Sequence, residues 1–237
     1  EQRYADFDGL NLTFESREGI LKHCSIKNAK NLGAIGERFI KKQQPSLEAQ
    51  LVNYADEIAY NNHDIDDGYR SGVIKFKALM DVPLFKECAE LVKEDYSDID
   101  EVRWLHETIR RIIYKLIFDI CETSSKNLAE SKPKTIDEVR ILPKLINLSE
   151  EMAQRQIELK QFLRCFLYEH ERVVEMTHNA KEIIKDLFLY FMNDPSLMPK
   201  SYQNNSKQDL ARAVADYLAG MTDRYAIKTH KDNKLSV

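Results

Sequence analysis

Only seven glycines and six prolines punctuate a chain of 237 residues. A sheet of many strands needs frequent turns, and those turns draw heavily on glycine and proline. Their scarcity selects against a many-stranded β fold. Apolar residues instead recur at three- and four-residue spacing along nearly the whole length, which is the period of an amphipathic helix. The expected fold class is therefore all-α. Ser46 is placed to cap one helix and Gly68 to close it. A second helix is expected from Tyr69 to Met80, and Asp81-Val82-Pro83 separates it from a short helix over Leu84 to Glu94. Ser97 or Asp98 can cap the next, with Asp100 or Glu101 as return partner. That helix carries Val102, Leu105, Ile109, Ile112, Ile113, Leu116, Ile117 and Ile120, a stripe wide enough for burial on more than one side. Ser124 to Thr135 reads as an exposed loop. Helices beginning at Ser149, Glu171 and Lys207 are expected to run to about Glu169, Asn193 and Thr229.

Composition bounds the class of function. A hydrophobic content of 43% beside 31% charged residues is that of a globular, water-facing domain. The formal net charge of −4 supplies no field that would draw in nucleic acid or an anionic membrane. Lys75-Phe76-Lys77 and Lys132-Pro133-Lys134 read as solvated surface, so nucleic acid is not an expected partner. The four cysteines, Cys24, Cys88, Cys121 and Cys165, form no CxxC pair, which points to reduced thiols and a cytoplasmic setting. No apolar run approaches the length of a membrane span. The chain opens on Glu1 rather than Met and is read as a piece of a longer one. It is read as a single helical domain over residues 1–237.

The chemistry concentrates in Ala55-Asp56-Glu57-Ile58-Ala59-Tyr60-Asn61-Asn62-His63-Asp64-Ile65-Asp66-Asp67-Gly68. At roughly 100° per residue, Asp56 and Tyr60 share a face one turn apart, Asp64 follows a turn later, and His63 falls nearly in line with Asp56. Leu47, Leu51, Ala55, Ile58 and Ile65 form the opposite, core-facing side. Asn62 points toward that apolar side and needs hydrogen-bond partners there. Two readings stand at this point. The stripe is a solvated helix face, or Asp56 is a ligand for a hard or borderline cation whose other donors come from elsewhere. His63 and Asp64 point about 100° apart, so the pair cannot easily grip one ion. His23, His106, His170 and His178 are isolated.

Three blocks carry a family resemblance. Asp6-Phe7-Asp8-Gly9-Leu10-Asn11-Leu12-Thr13 runs into Arg17-Glu18-Gly19-Ile20-Leu21-Lys22-His23. Ser46-Leu47-Glu48-Ala49-Gln50 leads into the Asp56 helix. Val214-Ala215-Asp216-Tyr217-Leu218-Ala219-Gly220-Met221-Thr222-Asp223-Arg224-Tyr225-Ala226 follows near the end. Together they resemble the HD-domain dGTP triphosphohydrolases (dGTPase-like family), and the likeness covers nearly the whole chain.

The resemblance implies an HD-type helical bundle that hydrolyses a deoxynucleoside triphosphate to deoxynucleoside and triphosphate. Its cofactor is a divalent metal, Mg or Mn. Asp56 would be the last metal ligand, Tyr60 would pack on the deoxyribose, Asp64 would sit near the sugar hydroxyl, and Lys22 would meet the triphosphate. Arg17 and Arg224 are further candidate anion contacts without a firm role, and His63 is a lesser candidate, His63-Asp64 being read as a decoy for the family's true His-Asp pair. The family's first His, its His-Asp pair and its catalytic His/Glu precede the Asp6–Thr13 block. The chain therefore reads as the C-terminal portion of such an enzyme, without its N-terminal helices. Residues 1–80 would complete the active-site side and 81–237 would form the C-terminal helical region. The catalytic residues are expected outside the chain, which by itself would be inactive. Family kinship also implies a homo-oligomer. The alternative is a non-catalytic helical assembly or binding domain, with the polar stripe as surface and the wide apolar stripes as packing faces.

Overall fold

The computed structural model describes residues 4–7, 9–21, 24–205 and 209–233. Among these residues all regular structure is helical, as the shortage of turn residues requires. Contacts gather the chain into two compact units, Glu1–Leu167 and Tyr168–Val237, where the sequence reads as a single domain.

In the first unit, α1 (Phe14–Ile20), α2 (Ile26–Ala29) and α3 (Glu37–Ile40) are short. The long elements are α4 (Leu47–Arg70), α6 (Pro83–Asp95), α7 (Glu101–Ser131) and α9 (Glu150–Leu163), with α5 (Phe76–Leu79) and α8 (Ile136–Ile141) in the connections. Helix α7 packs against α4 and α6, and α9 packs against the same two. Their shared core holds Ile65, Leu79, Leu84, Phe85, Leu105, Ile112, Leu116, Leu159 and Leu163. Phe76 meets Phe85 edge-on, ring centroids 5.5 Å apart, and lies 4.4 Å from the Trp104 ring. The Trp104 indole donates to the Ala89 carbonyl at 2.8 Å, so the half-buried ring packs on the core with its polar edge satisfied.

The caps show how much of this is local. The Ser46 hydroxyl accepts the Ala49 N–H at 3.2 Å and the Ser149 hydroxyl accepts the Met152 N–H at 3.2 Å, as their positions before apolar-periodic runs suggest. Other boundaries differ. Gly68 does not end α4; it is buried inside the helix, which continues to Arg70. The turn comes after it, at Gly72 with φ +73°, so the second helix shrinks to α5. Asp100, not Ser97 or Asp98, caps α7. That helix runs on through most of the expected Ser124–Thr135 loop, ending at Ser131 with Lys132 in the left-handed region at φ 46°. The reason is tertiary. Buried Ser124 accepts the Asn147 N–H at 3.2 Å and Asn127 donates to the Leu145 carbonyl at 2.9 Å, so polar residues that look like loop are helical anchors for another segment. A π-helical turn, Arg164–Tyr168, follows α9.

In the second unit, α10 (Glu171–Asn193) has the boundaries its sequence suggests, and α11 (Lys200–Asn205) follows. The expected final helix is two, α12 (Leu210–Ala219) and α13 (Asp223–Asp232); its expected start at Lys207 lies outside the described residues. Gly220 ends α12 and Thr222 caps α13 by accepting the Tyr225 N–H at 3.3 Å. Both helices pack on α10 around Leu187, Phe191, Val214 and Leu218. The buried His230 imidazole is 2.9 Å from the Asp186 carboxylate, joining α13 to α10. Beside them Tyr217 is pushed up to about 12 by burial and by its hydrogen bond with Tyr225.

Candidate functional site

Helix α4 is fixed from three sides. Gln50, fully buried, accepts the Leu145 and Ile146 N–H groups at 3.0 and 3.1 Å and donates to the Pro45 carbonyl at 3.1 Å. The Tyr54 hydroxyl donates to Asn147 Oδ1 at 3.2 Å, and the Lys144 ammonium lies 4.1 Å from the Tyr54 ring centre. Glu57 pairs with Lys160 of α9 at 2.5 Å. Ile58 and Ile65 enter the core. Asn62 is buried as its position predicts; its amide N–H donates to the Ile58 carbonyl at 2.7 Å, while its Oδ1 has no partner among the described residues.

These anchors leave the polar stripe facing outward. Asp56 and His63 are exposed, Asp64 is half-buried, and the Tyr60 ring is 64% exposed. Four of the sequence-selected residues thus stand along one rigid helix. Arg17 is exposed on α1, which packs beside α4. Lys22 lies outside the described residues. Arg224 is exposed on α13, in the second unit.

Two residues given to the core face are not in it. Leu51 is 48% exposed and Ala55 is exposed. Both line an apolar groove of about 470 Å³ between α4 and α7, with Ala59, Ile113 and Ile117. At one end of the groove stand His63, Asp66 and His106. His106, isolated in sequence, has its Nδ1 3.9 Å from Asp66 Oδ1. A pair 40 positions apart leaves no spacing signal.

The segment carrying Arg17 is held by a charge cluster that spacing also could not reveal. The buried Glu18 carboxylate receives Arg140 of α8 through two hydrogen bonds, 2.7 and 3.1 Å, and forms an ion pair with Arg38, whose Nε lies 3.2 Å away. Arg38 also donates to the Glu18 and Leu21 carbonyls. Burial pushes the Arg38 guanidinium down, opposed by Glu18. The hydrogen bonds that Arg140 donates to Glu18 push its guanidinium up. The cluster binds α1 to the body of the unit, beside α4.

Asp56 alone is not a metal site. A divalent cation takes several donors, and among the described residues no group of three or more His, Cys, Asp and Glu side chains could hold one. Nor is any helix among them long and apolar enough to cross a membrane.

A phosphohydrolase-associated domain model matches residues 146–232. A deoxyguanosinetriphosphate triphosphohydrolase-like protein of Bordetella pertussis is 51% identical over 231 residues, which is 98% of this chain and 60% of the relative. The chain is a homologue of the dGTPase-like proteins. The likeness recurs in a protein of the same description from Ralstonia pickettii, 53% identical over 232 residues, 98% of this chain and 60% of that one. Another, from Thiobacillus denitrificans, is 49% identical over 231 residues, covering 98% of this chain and 61% of the relative. The chain thus spans about 60% of the length of these dGTPase-like relatives.

Proposed function

We propose that this chain supplies one wall of a divalent-metal deoxynucleoside triphosphate triphosphohydrolase site, as the C-terminal part of such an enzyme. The observation that carries the reading is the one-sided burial of α4. A helix of 24 residues, anchored through Gln50, Tyr54, Glu57, Ile58 and Ile65, keeps Asp56, Tyr60 and His63 exposed. The description borne by the relatives supports the substrate class. In this proposal Asp56 gives one carboxylate to the metal. The remaining donors and the catalytic residues lie outside these 237 residues. Tyr60 offers a ring to the deoxyribose and Asp64 accepts from its hydroxyl, so the α4 stripe places the sugar. Lys22 and Arg17 meet the triphosphate. The Glu18 clamp keeps the helix that leads to them beside α4.

The test compares two lengths of the protein. The 237-residue chain is expected to release no triphosphate from any dNTP with Mg or Mn. The protein as its genome encodes it is expected to do so, and Asp56→Ala is expected to abolish that activity with the helical content unchanged. Full activity of Asp56→Ala would refute the metal role. Robust hydrolysis by the 237-residue chain would refute the partial site.

The second reading, a helical assembly domain, is favoured by one observation. Tyr114 and Phe118 of α7 are 70 and 52% exposed. On that reading the genome-encoded protein would release no triphosphate at all.

A further inference from the structure

Arg38 holds the end of α1 by its backbone as well as by its charge. The Arg38 Nη2 donates to the Glu18 carbonyl at 3.3 Å and to the Leu21 carbonyl at 3.1 Å. The last carbonyls of a helix have no intrahelical partner, and Leu21, with φ −79° and ψ 62°, has already left the helix. The guanidinium therefore fixes both the final turn of α1 and the first residue beyond it. Lys22 comes next in the sequence.

The arginine is itself held in place. It is 8% exposed, and its guanidinium carbon lies 3.9 Å from the Phe39 ring centre. The chain enters α3 through Gly36, where a Cβ would stand 1.9 Å from the Ala29 carbonyl oxygen. No side chain fits there, so the glycine lets the start of α3 press against the end of α2. The Arg38 carbonyl accepts the Gln43 N–H at 2.9 Å, and the Arg140 carbonyl accepts the Gln44 N–H at 3.0 Å. Gln43 and Gln44 lead into the Ser46 cap of α4. One network thus ties the exit of α1 to the entry of α4.

In the site proposed above, on which this assignment rests, the network joins the triphosphate contact beyond α1 to the metal and sugar stripe of α4. We propose that Arg38 is a positioning residue for the triphosphate, acting through the Leu21 carbonyl on the placement of Lys22 and touching no substrate itself. A lysine at position 38 keeps a cation for Glu18 but lacks the planar fork that serves the Glu18 side chain and the Leu21 carbonyl together. Arg38→Lys therefore separates placement from charge.

The test reads binding rather than turnover. Calorimetric titrations of the genome-encoded protein, with Mn present, use inorganic triphosphate and deoxyguanosine as separate probes. Arg38→Lys is expected to weaken triphosphate binding by about fivefold or more, the scale of one displaced hydrogen bond, and to leave deoxyguanosine binding within about twofold. An arginine of purely structural role would loosen the entry of α4 along with the exit of α1, and both probes would weaken together. In a Lys22→Gln background Arg38→Lys is expected to add nothing, because effects carried by one contact do not sum. Glu18→Gln with Arg38→Gln, which removes charge from both sides of that ion pair, carries the same expectation if the lysine variant does not fold.

Equal weakening of both probes would overturn the proposal, as would an unchanged triphosphate affinity. A loss that persists in full in the Lys22→Gln background would mean that Arg38 acts without Lys22, and overturns it too. If Lys22→Gln weakens triphosphate binding and Arg38→Lys does not, this proposal alone fails. If Lys22→Gln changes nothing, or the unaltered protein binds no triphosphate, the phosphate role of Lys22 fails and this proposal with it.

Discussion

Arg140 grips Glu18 with its two terminal guanidinium nitrogens, at 2.7 and 3.1 Å, across 122 positions of sequence. With Arg38 on the same carboxylate, this is the one acidic residue of α1 that the fold buries completely. Removing the acid from a buried pair leaves its cations uncompensated, and such losses run to about 3–5 kcal/mol. Glu18→Ala is therefore expected to lower the unfolding free energy measured by urea denaturation by that amount. Glu18→Leu combined with Arg38→Met and Arg140→Met is expected to recover much of the loss, because the desolvated charge is then removed on both sides. An unchanged midpoint in Glu18→Ala would show that the clamp does not hold α1.

Gly68→Ala is expected to destabilise the first unit even though alanine is the better helix former by about 1 kcal/mol. A Cβ there would stand 2.6 Å from Ile74 Cδ1 and 3.0 Å from its Cγ1, and Ile74 is buried. Overpacking of this kind costs about 1–3 kcal/mol. A rise in melting temperature would show that Ile74 has room to move.

Gln50→Leu keeps the volume but removes the acceptor of two buried N–H groups, those of Leu145 and Ile146. Each unsatisfied group costs about 1–3 kcal/mol. The expected signature is local: faster hydrogen exchange at 145 and 146, together with a lower urea midpoint. Unchanged exchange at both amides would mean that the segment is held by other contacts.

Glu87 of α6 receives Lys115 of α7 and Arg155 of α9. The Lys115 hydrogen bond first, and that of Arg155 after it, hold the Glu87 carboxyl below its ordinary value of 4.5. A carboxylate with a depressed folded pKa stabilises the fold above its unfolded pKa, and that contribution fades as pH falls through the folded value. The urea midpoint of the parent chain is thus expected to drop more between about pH 5 and about pH 3 than that of Glu87→Gln. With the Glu87 side chain 40% exposed, solvent screening limits the difference to at most about 0.5 kcal/mol. Identical pH slopes would remove the clasp from the account.

Tyr60→Ala is expected to leave stability within about 0.5 kcal/mol, as for other exposed positions. If Tyr60 carries the sugar, the same change in the genome-encoded enzyme raises KM for the deoxynucleotide by about fivefold or more, the value of an aromatic contact near 1 kcal/mol. A normal KM would leave Tyr60 as surface.

The sequence by itself determined the helical class, the caps Ser46 and Ser149, the outward stripe of Asp56, Tyr60 and His63, and the family likeness. All of these rest on local preferences or on spacing within one helix, so neighbouring residues suffice to reveal them. The tertiary structure decided the rest. It turned Gly68 from a helix end into a close-packing point, Ser124 from loop into anchor, and Leu51 and Ala55 from core into groove wall. It joined Glu18 to Arg140 and Asp66 to His106. A helix turns a complete face toward its neighbours every two turns, but which neighbour covers which part of that face depends on elements far along the chain. That is why periodicity could find the apolar side of α4 without showing how much of it remains open.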